Sequence, residues 1–532
     1  MIMLNLTLKE LNFGKTDAYN EYISIGTDQF KKMFYIYPSW PIDGLLNGSI
    51  YYICGDKGTG KTMLLKYLEL QVLELSDANT TVFVRFKKDI DEDARNELKR
   101  TSISNRSYEE ELDNCVQSDS LIDSKLAWQV YLIKTIVFQI ERTESGIIDR
   151  TTDSWKKLLK VLKLIYPETV KKNILPKVKK GKIEIAIASF LKIGLELEWS
   201  KKDKTGVPFA LVAKEIIKLY SDLQMETGRI YVLIDELELS LNKNKIYERD
   251  IALIRDLIIS VQYLSEISKK NKYNIYFIAA IRNEVYKSLL SSGFELNKVI
   301  HDFGFQITWR QKGGNIDEHP LIQMIEQRIS ASEKEYGIDS GNIWGRYFTQ
   351  SIGNNNTPIK NYILDQTWLK PRDIVRLLTF IQKQYPNKTV IDQACFDGVR
   401  QSYAEESWIE FTEELRTKYD SECVEGIKQC LIGLNLPFSQ NDFLTQIEKK
   451  RDMFAEVDHL AKQHPYIGQV LRDLYDVGII GNYPPGRFTF LGDTDVDPTL
   501  NFTLHYPLIR FFKGQIKSYK YKKYENKLEN YS

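Results

Sequence analysis

This sequence predicts an α/β fold built on a parallel sheet, followed by a helical region and a small domain of helices and a two-stranded wing. Three apolar runs carry the prediction. Residues 50–54 (Ile-Tyr-Tyr-Ile-Cys), 230–234 (Ile-Tyr-Val-Leu-Ile) and 275–281 (Ile-Tyr-Phe-Ile-Ala-Ala-Ile) are short, continuous and free of polar alternation. That pattern belongs to strands buried on both faces, as in a parallel sheet. Long segments of helical period lie between them, and parallel strands need such crossovers.

The elements follow in order. Residues 1–48 lead into the first strand and hold an amphipathic helix near 27–34. Residues 63–70 continue as a helix, and 80–86 (Thr-Thr-Val-Phe-Val-Arg-Phe) read as the second strand. The charged stretch 89–120 reads as peripheral. Residues 121–141 have helical spacing, with Trp128, Leu132, Ile136 and Phe138 facing the core. Residues 143–207 look like an insertion: a basic amphipathic helix (155–165), a basic stretch, then period-two alternation at 183–187 and 195–199, as in a hairpin. The basic helix reads as a solvated face or as a contact for phosphates or a partner. Residues 212–223 form the helix before the 230–234 strand, and 247–269 the helix after it. A short strand at 306–310 and a helix from 319 lead to Pro371, which opens another helix.

The chemistry concentrates at strand ends. Between the first strand and its helix stands Gly55-Asp56-Lys57-Gly58-Thr59-Gly60-Lys61-Thr62, with Met63 next. G-x-x-x-x-G-K-T is a phosphate-binding loop when it joins a strand to a helix. Its glycines let backbone N–H groups wrap a phosphate at a helix N-terminus. Lys61 is placed to reach the β- and γ-phosphates, and the Thr62 hydroxyl to ligate Mg²⁺. The run 230–234 ends in Asp235-Glu236. Asp235 suits the magnesium shell, and Glu236 is placed to polarise an attacking water. The run 275–281 ends in Arg282-Asn283-Glu284, where Arg282 and Asn283 read either as phosphate sensors or as ordinary strand-end caps.

Composition narrows the class. Lys+Arg 73 against Asp+Glu 72 leaves no bulk basic charge, so nucleic-acid contact needs a local patch. The cysteines at 54, 115, 395, 423 and 430 have no paired zinc spacing and their odd count suits a reducing cytoplasmic setting. The histidines form no metal signature; His319, His464 and His505 read as structural. No apolar run is long enough to predict a membrane span, and the first residues lack the pattern of a signal peptide.

The last part reads as a separate small domain. Residues 442–449 and 468–478 form helices, the second stopped by Gly478. A turn at 484–486, a strand at 487–491 and a strand at 501–504 follow. Two helices and a two-stranded wing make a winged-helix pattern, which binds DNA or protein. The tail beyond 515 is basic and aromatic, and reads as a solvated tail or a nucleic-acid contact.

Taken together, the loop 55–62, the Asp235-Glu236 strand, the strand ending Arg282-Asn283-Glu284, and Pro371-Arg372-Asp373 resemble a prokaryotic AAA+ ATPase of the origin-recognition/STAND-like branch. The resemblance implies a P-loop NTPase core with parallel sheet, a helical lid and a C-terminal winged-helix domain. It divides the chain into a lead-in over the nucleotide site (1–48), a core (49–315) with the insertion at 143–207, a lid (316–420), the winged helix (421–515) and a basic tail (516–532). It implies ATP and Mg²⁺ as ligands, Arg282 or Asn283 as sensor 1 and Arg372 as sensor 2 on the γ-phosphate. Tyr19, Tyr22 and Ile25 are placed to cover the adenine, and plain packing explains them equally well. Arg310 and Arg328 are candidates for an arginine acting on a neighbouring subunit. The expected activity is ATP hydrolysis that drives a switch or motor, as a homo-oligomer, on double-stranded DNA or a partner effector, in a setting such as antiphage defence. The competing expectation is a regulatory nucleotide binder with little turnover that controls a partner nuclease or toxin. A third is a scaffold that nucleotide only stabilises.

Overall fold

Five short strands hydrogen-bond side by side in the computed structural model, all parallel: β1 (Tyr52–Gly55), β2 (Thr80–Arg85), β3 (Ile230–Leu237), β4 (Ile275–Arg282) and β5 (Gly304–Gln306), in the order β2-β3-β4-β1-β5. The structure describes residues 5–90, 92–96, 124–167, 175–176, 178–179, 182–185, 187–195, 207–238, 244–291, 296–311, 314–338, 341–416, 418–483, 501–509 and 511–512. The chain is a mixed α/β protein with this sheet, many helices and a helical C-terminal part. Among the described residues no helix is long and apolar enough to cross a membrane.

Two compact units divide the chain: residues 36–308, and residues 1–35 together with 309–532. In the first, the sheet is buried because its strands are apolar on both faces. Tyr52, Ile53, Val232, Ile234, Ile278 and Ile281 are inaccessible to solvent. Helices α1 (Lys61–Leu75), α2 (Ser124–Thr143), α3 (Asp153–Ile165), α4 (Phe209–Ser221), α5 (Asn244–Lys270) and α6 (Asn283–Ser291) supply the crossovers and cover. Trp128 of α2 is fully buried, beside Phe86.

The structure corrects several expectations here. The segment 143–207, expected as an insertion between core elements, adds to the core at its start. Trp155, Leu158, Val161, Leu162 and Ile165 bury one side of α3 in the main core, and α3 packs on α4. Lys156, Lys160 and Lys163 face solvent, as the solvated-face reading had it. The hairpin expected at 183–187 is a small antiparallel sheet of Val178–Lys179, Lys182–Ile183 and Val207–Pro208, while Ile187–Lys192 is helical. The other half of that hairpin, 196–199, lies outside the described residues. The stretch 89–120 is not wholly peripheral: Ile90 and Arg95 are buried, and Arg95 donates to the carbonyls of Ile90 and Phe86 and faces Asp250 at 3.7 Å. The fifth strand begins two residues earlier than expected, at Gly304, and ends at Gln306.

The second unit contains Ala18–Ile25, Thr27–Met33, α7 (Pro320–Glu335), α8 (Pro371–Gln384), α9 (Gln393–Leu415), α10 (Ser421–Leu431), α11 (Gln440–Arg451), α12 (Ala455–Gln463) and α13 (Ile467–Asp476). Residues 1–35 fall in it, and the described ones are tied to its helices. Leu8 N–H donates to Lys388 O at 2.7 Å, Gln382 Nε2 donates to Leu8 O at 2.7 Å, and Glu21 pairs with Arg328 at 2.8 Å. The lead-in 1–48 is therefore split at residue 35. The regions 316–420 and 421–515 are not separate bodies either. Trp368 donates to Gly478 O at 2.8 Å and stacks on His505. Four helices, not two, precede an antiparallel strand pair, β6 (Ile480–Tyr483) and β7 (Asn501–Leu504). β6 stands earlier than the expected strand at 487–491, which lies outside the described residues, as does the tail 516–532.

Candidate active site

Ligands of open α/β sheets sit at the carboxyl ends of the strands. Register brings the chemistry there: Gly55 of β1 pairs with Arg282 of β4, and Arg85 of β2 with Asp235 of β3. β4 lies between β1 and β3, so its polar end falls between the glycine loop and the Asp235-Glu236 strand end.

The loop needs its glycines. Gly58 and Gly60 have φ of +83° and +94°, a region side chains rarely adopt, and a Cβ on Gly55 would lie 2.7 Å from Thr59 Oγ1. Thr59 Oγ1 donates to Asp56 O at 2.9 Å and closes the turn. Gly60 is the N-cap of α1, which begins at Lys61, so the first-turn N–H groups at Lys61, Thr62 and Met63 open onto the loop. Lys57 and Gly58 form the loop's partly exposed crest.

Lys61 is almost fully buried. Its Nζ donates to Gly55 O at 2.8 Å and Asp56 O at 2.7 Å, and burial, helped by nearby Arg282, lowers its pKa to about 8. Thr62 Oγ1 donates to Asp235 Oδ2 at 2.8 Å, joining two residues 173 positions apart. Burial raises the pKa of Asp235, against the hydrogen bond from Thr62. Glu236 is half-buried, and its pKa is raised by burial and then by Asp235. Its φ is +58°, and the β3–β4 register shifts between Ile234 and Leu237. Such a bulge re-aims a side chain, and the left-handed backbone costs about 1–3 kcal/mol.

Asn283 Nδ2 donates to Asp56 Oδ1 at 2.6 Å, and Gln306 Nε2 donates to Asn283 Oδ1 at 3.0 Å. Asn283 is thus tied into the loop and is more than a strand-end cap. Arg282 pairs with Glu238 and with Glu284 at 3.2 Å. Glu238 also takes Lys87 at 3.3 Å; burial opposes its charge, but Arg282 and Lys87 hold its pKa below the ordinary value. Sequence reasoning missed Glu238, Lys87 and Gln306. The only linear signal was the position of Glu238 two residues beyond Glu236.

The structure brings Gly55–Met63, Asp235, Glu236, Arg282 and Asn283 together in one unit. Arg372 belongs to the other unit. It starts α8, donates to Thr16 O at 3.2 Å and pairs with Glu410 at 2.9 Å, a carboxylate shared with Arg376. Tyr22 of that unit packs edge-on against Phe30. Arg328 is corrected outright as an arginine for a neighbouring subunit. It is 6% exposed and bound to Glu21 and to Phe13 O inside the helical unit. Arg310 is half-buried in a segment without strand structure.

With this geometry in place, a family profile described as FunZ-associated C-terminal helical domain matches residues 319–411, the stretch from α7 into α9 that includes Arg328 and Arg372. Comparison with curated proteins gives no match.

Proposed function

We propose that the chain is a magnesium-dependent ATPase, with a P-loop NTPase core of the AAA+ type working as a switch or motor. The observation that carries this reading is the Thr62–Asp235 hydrogen bond beside buried Lys61, at the mouth of a glycine loop that needs positive φ. These residue types fit a magnesium nucleotide: a hydroxyl and a carboxylate in contact suit an oxygen-seeking cation. Thr62 and Asp235 would hold Mg²⁺, which neutralises charge on the phosphate oxygens. Lys61 and the first-turn N–H groups of α1 bind the phosphates. Asn283 fixes the loop through Asp56. Glu236, with its raised pKa, orients water and accepts its proton. Arg282 adds positive charge once it leaves Glu238.

The helical region with Arg372 would act as lid and sensor, and the helices with the β6–β7 wing as a winged-helix reader of double-stranded DNA or of a partner effector. We place the protein in the cytoplasm as a homo-oligomer, in antiphage defence, on the resemblance to standalone bacterial ATPases. The second reading is a nucleotide-dependent regulator of a partner nuclease or toxin with little turnover. The carboxylates on Arg282 favour it, because they hold that cation in an ion pair.

The test is ATP hydrolysis by the full chain with and without duplex DNA, beside Glu236→Gln. DNA-stimulated turnover that Glu236→Gln removes supports the first reading. Tight ATP binding with negligible turnover supports the second. No ATP binding overturns both.

A further inference from the structure

We propose that Asp420, Cys423 and His459 form a site for a zinc-class transition metal in the helical unit, independent of the glycine loop. The three residues come from two helices packed together. Asp420 caps α10, Cys423 lies in its first turn, and His459 stands on α12. One carboxylate oxygen, the Cys423 sulfur and one imidazole nitrogen lie within 4.8 Å of one another. Zinc bonds of about 2.0–2.3 Å place tetrahedral ligands about 3.5 Å apart, so the trio closes by about an ångström.

Each partner has a distinct task. Asp420 Oδ1 accepts the Cys423 backbone N–H at 2.7 Å, which fixes the carboxylate. Its Oδ2 faces His459 Nε2 at 2.9 Å. On the other side of the ring, His459 Nδ1 is 3.5 Å from Glu422 Oε2. The shorter contact is the one between Nε2 and Asp420, so a metal entering between them would replace the Nε2 proton, with Glu422 beside Nδ1 as the outer carboxylate that accompanies metal-bound histidines. Thiolate plus imidazole selects zinc-like ions over magnesium or calcium, which want oxygen alone. Cys423 is buried while His459 is partly exposed, so the site has a protein-lined floor and an entry path. A metal there would staple the start of α10 to α12, with a fourth position left to water.

The competing arrangement uses the same contacts without metal: a protonated imidazole between two carboxylates. Asp420 does raise the His459 pKa. The two differ at Cys423, which only a metal turns into a bonded thiolate. The experiment is titration of chelator-stripped full chain with Co²⁺, read as the sulfur-to-cobalt charge-transfer absorption. One band saturating at one ion per chain and displaced by Zn²⁺ is expected. Cys423→Ser should abolish it. His459→Gln, at a partly exposed position that leaves the core untouched, should also abolish it. Glu422→Gln should weaken binding about 10- to 100-fold. No band in the native chain, or a band that survives both Cys423→Ser and His459→Gln, overturns the proposal.

Discussion

The carboxyl edge of the sheet and the interior of the helical unit both bury charge, but they treat it differently. In the helical unit several buried charges meet their opposites, although buried Lys450 donates to the carbonyls of Gln429 and Ile432 and has its pKa lowered to about 8 by burial. Arg328 binds Glu21 at 2.8 Å, and Glu333 takes Arg346 at 2.6 Å and the Tyr347 hydroxyl at 2.9 Å. At the sheet edge the charges are under tension. Lys61 is pushed down by burial, Asp235 and Glu236 are pushed up by it, and Glu236 also holds a left-handed backbone. Groups arranged for stability neutralise each other. Groups whose charge is held at a cost are those that gain when a charged ligand arrives. The same residue types, Arg and Glu, therefore mean a staple in one region and a candidate site in the other.

The contrast can be broken at several points. Glu236→Gln should lower turnover by about 10²–10⁴-fold with ATP affinity retained, as measured by steady-state hydrolysis and nucleotide titration. Normal turnover in that variant removes Glu236 as base. Arg328→Ala should instead cost about 3–5 kcal/mol in denaturant unfolding, because it strands Glu21 in the interior. Adding Glu21→Gln should recover much of that loss. If Arg328→Ala unfolds like wild type, the buried pair is not a staple. Lys61→Ala should cut hydrolysis by about 10²–10³-fold with little change in melting temperature.

A pH titration sharpens the same contrast. Lys61 has its pKa lowered to about 8, and a triphosphate favours the cationic form. Binding therefore takes up a proton above pH 8, so affinity is full below that point and falls as pH rises through it, by about tenfold per unit. A flat affinity between pH 7 and pH 9.5, followed by calorimetry, would detach Lys61 from the phosphates. Arg372→Ala should have the smallest effect. Its pair with Glu410 is partly exposed, so the expected stability loss is about 1 kcal/mol or less. A loss of ATP response in that variant, with stability kept, would give Arg372 its sensor role.

The sequence was legible where a signal is local. The glycine loop, the strand-end Asp235-Glu236, the helix stopped near Gly478 and the long helix after β3 were all written in spacing and side-chain type. Buried parallel strands are continuous apolar runs, and phosphate loops need glycine at fixed offsets, so both survive as linear patterns. Tertiary structure alone decided the pairing of Thr62 with Asp235, of Asn283 with Asp56, and of Arg282 with Glu238. It also moved residues 1–35 to the helical unit, seated α3 in the main core and buried Arg328 against Glu21. Those outcomes depend on which distant segments meet and how buried each charge becomes, and residue spacing along a chain carries neither quantity.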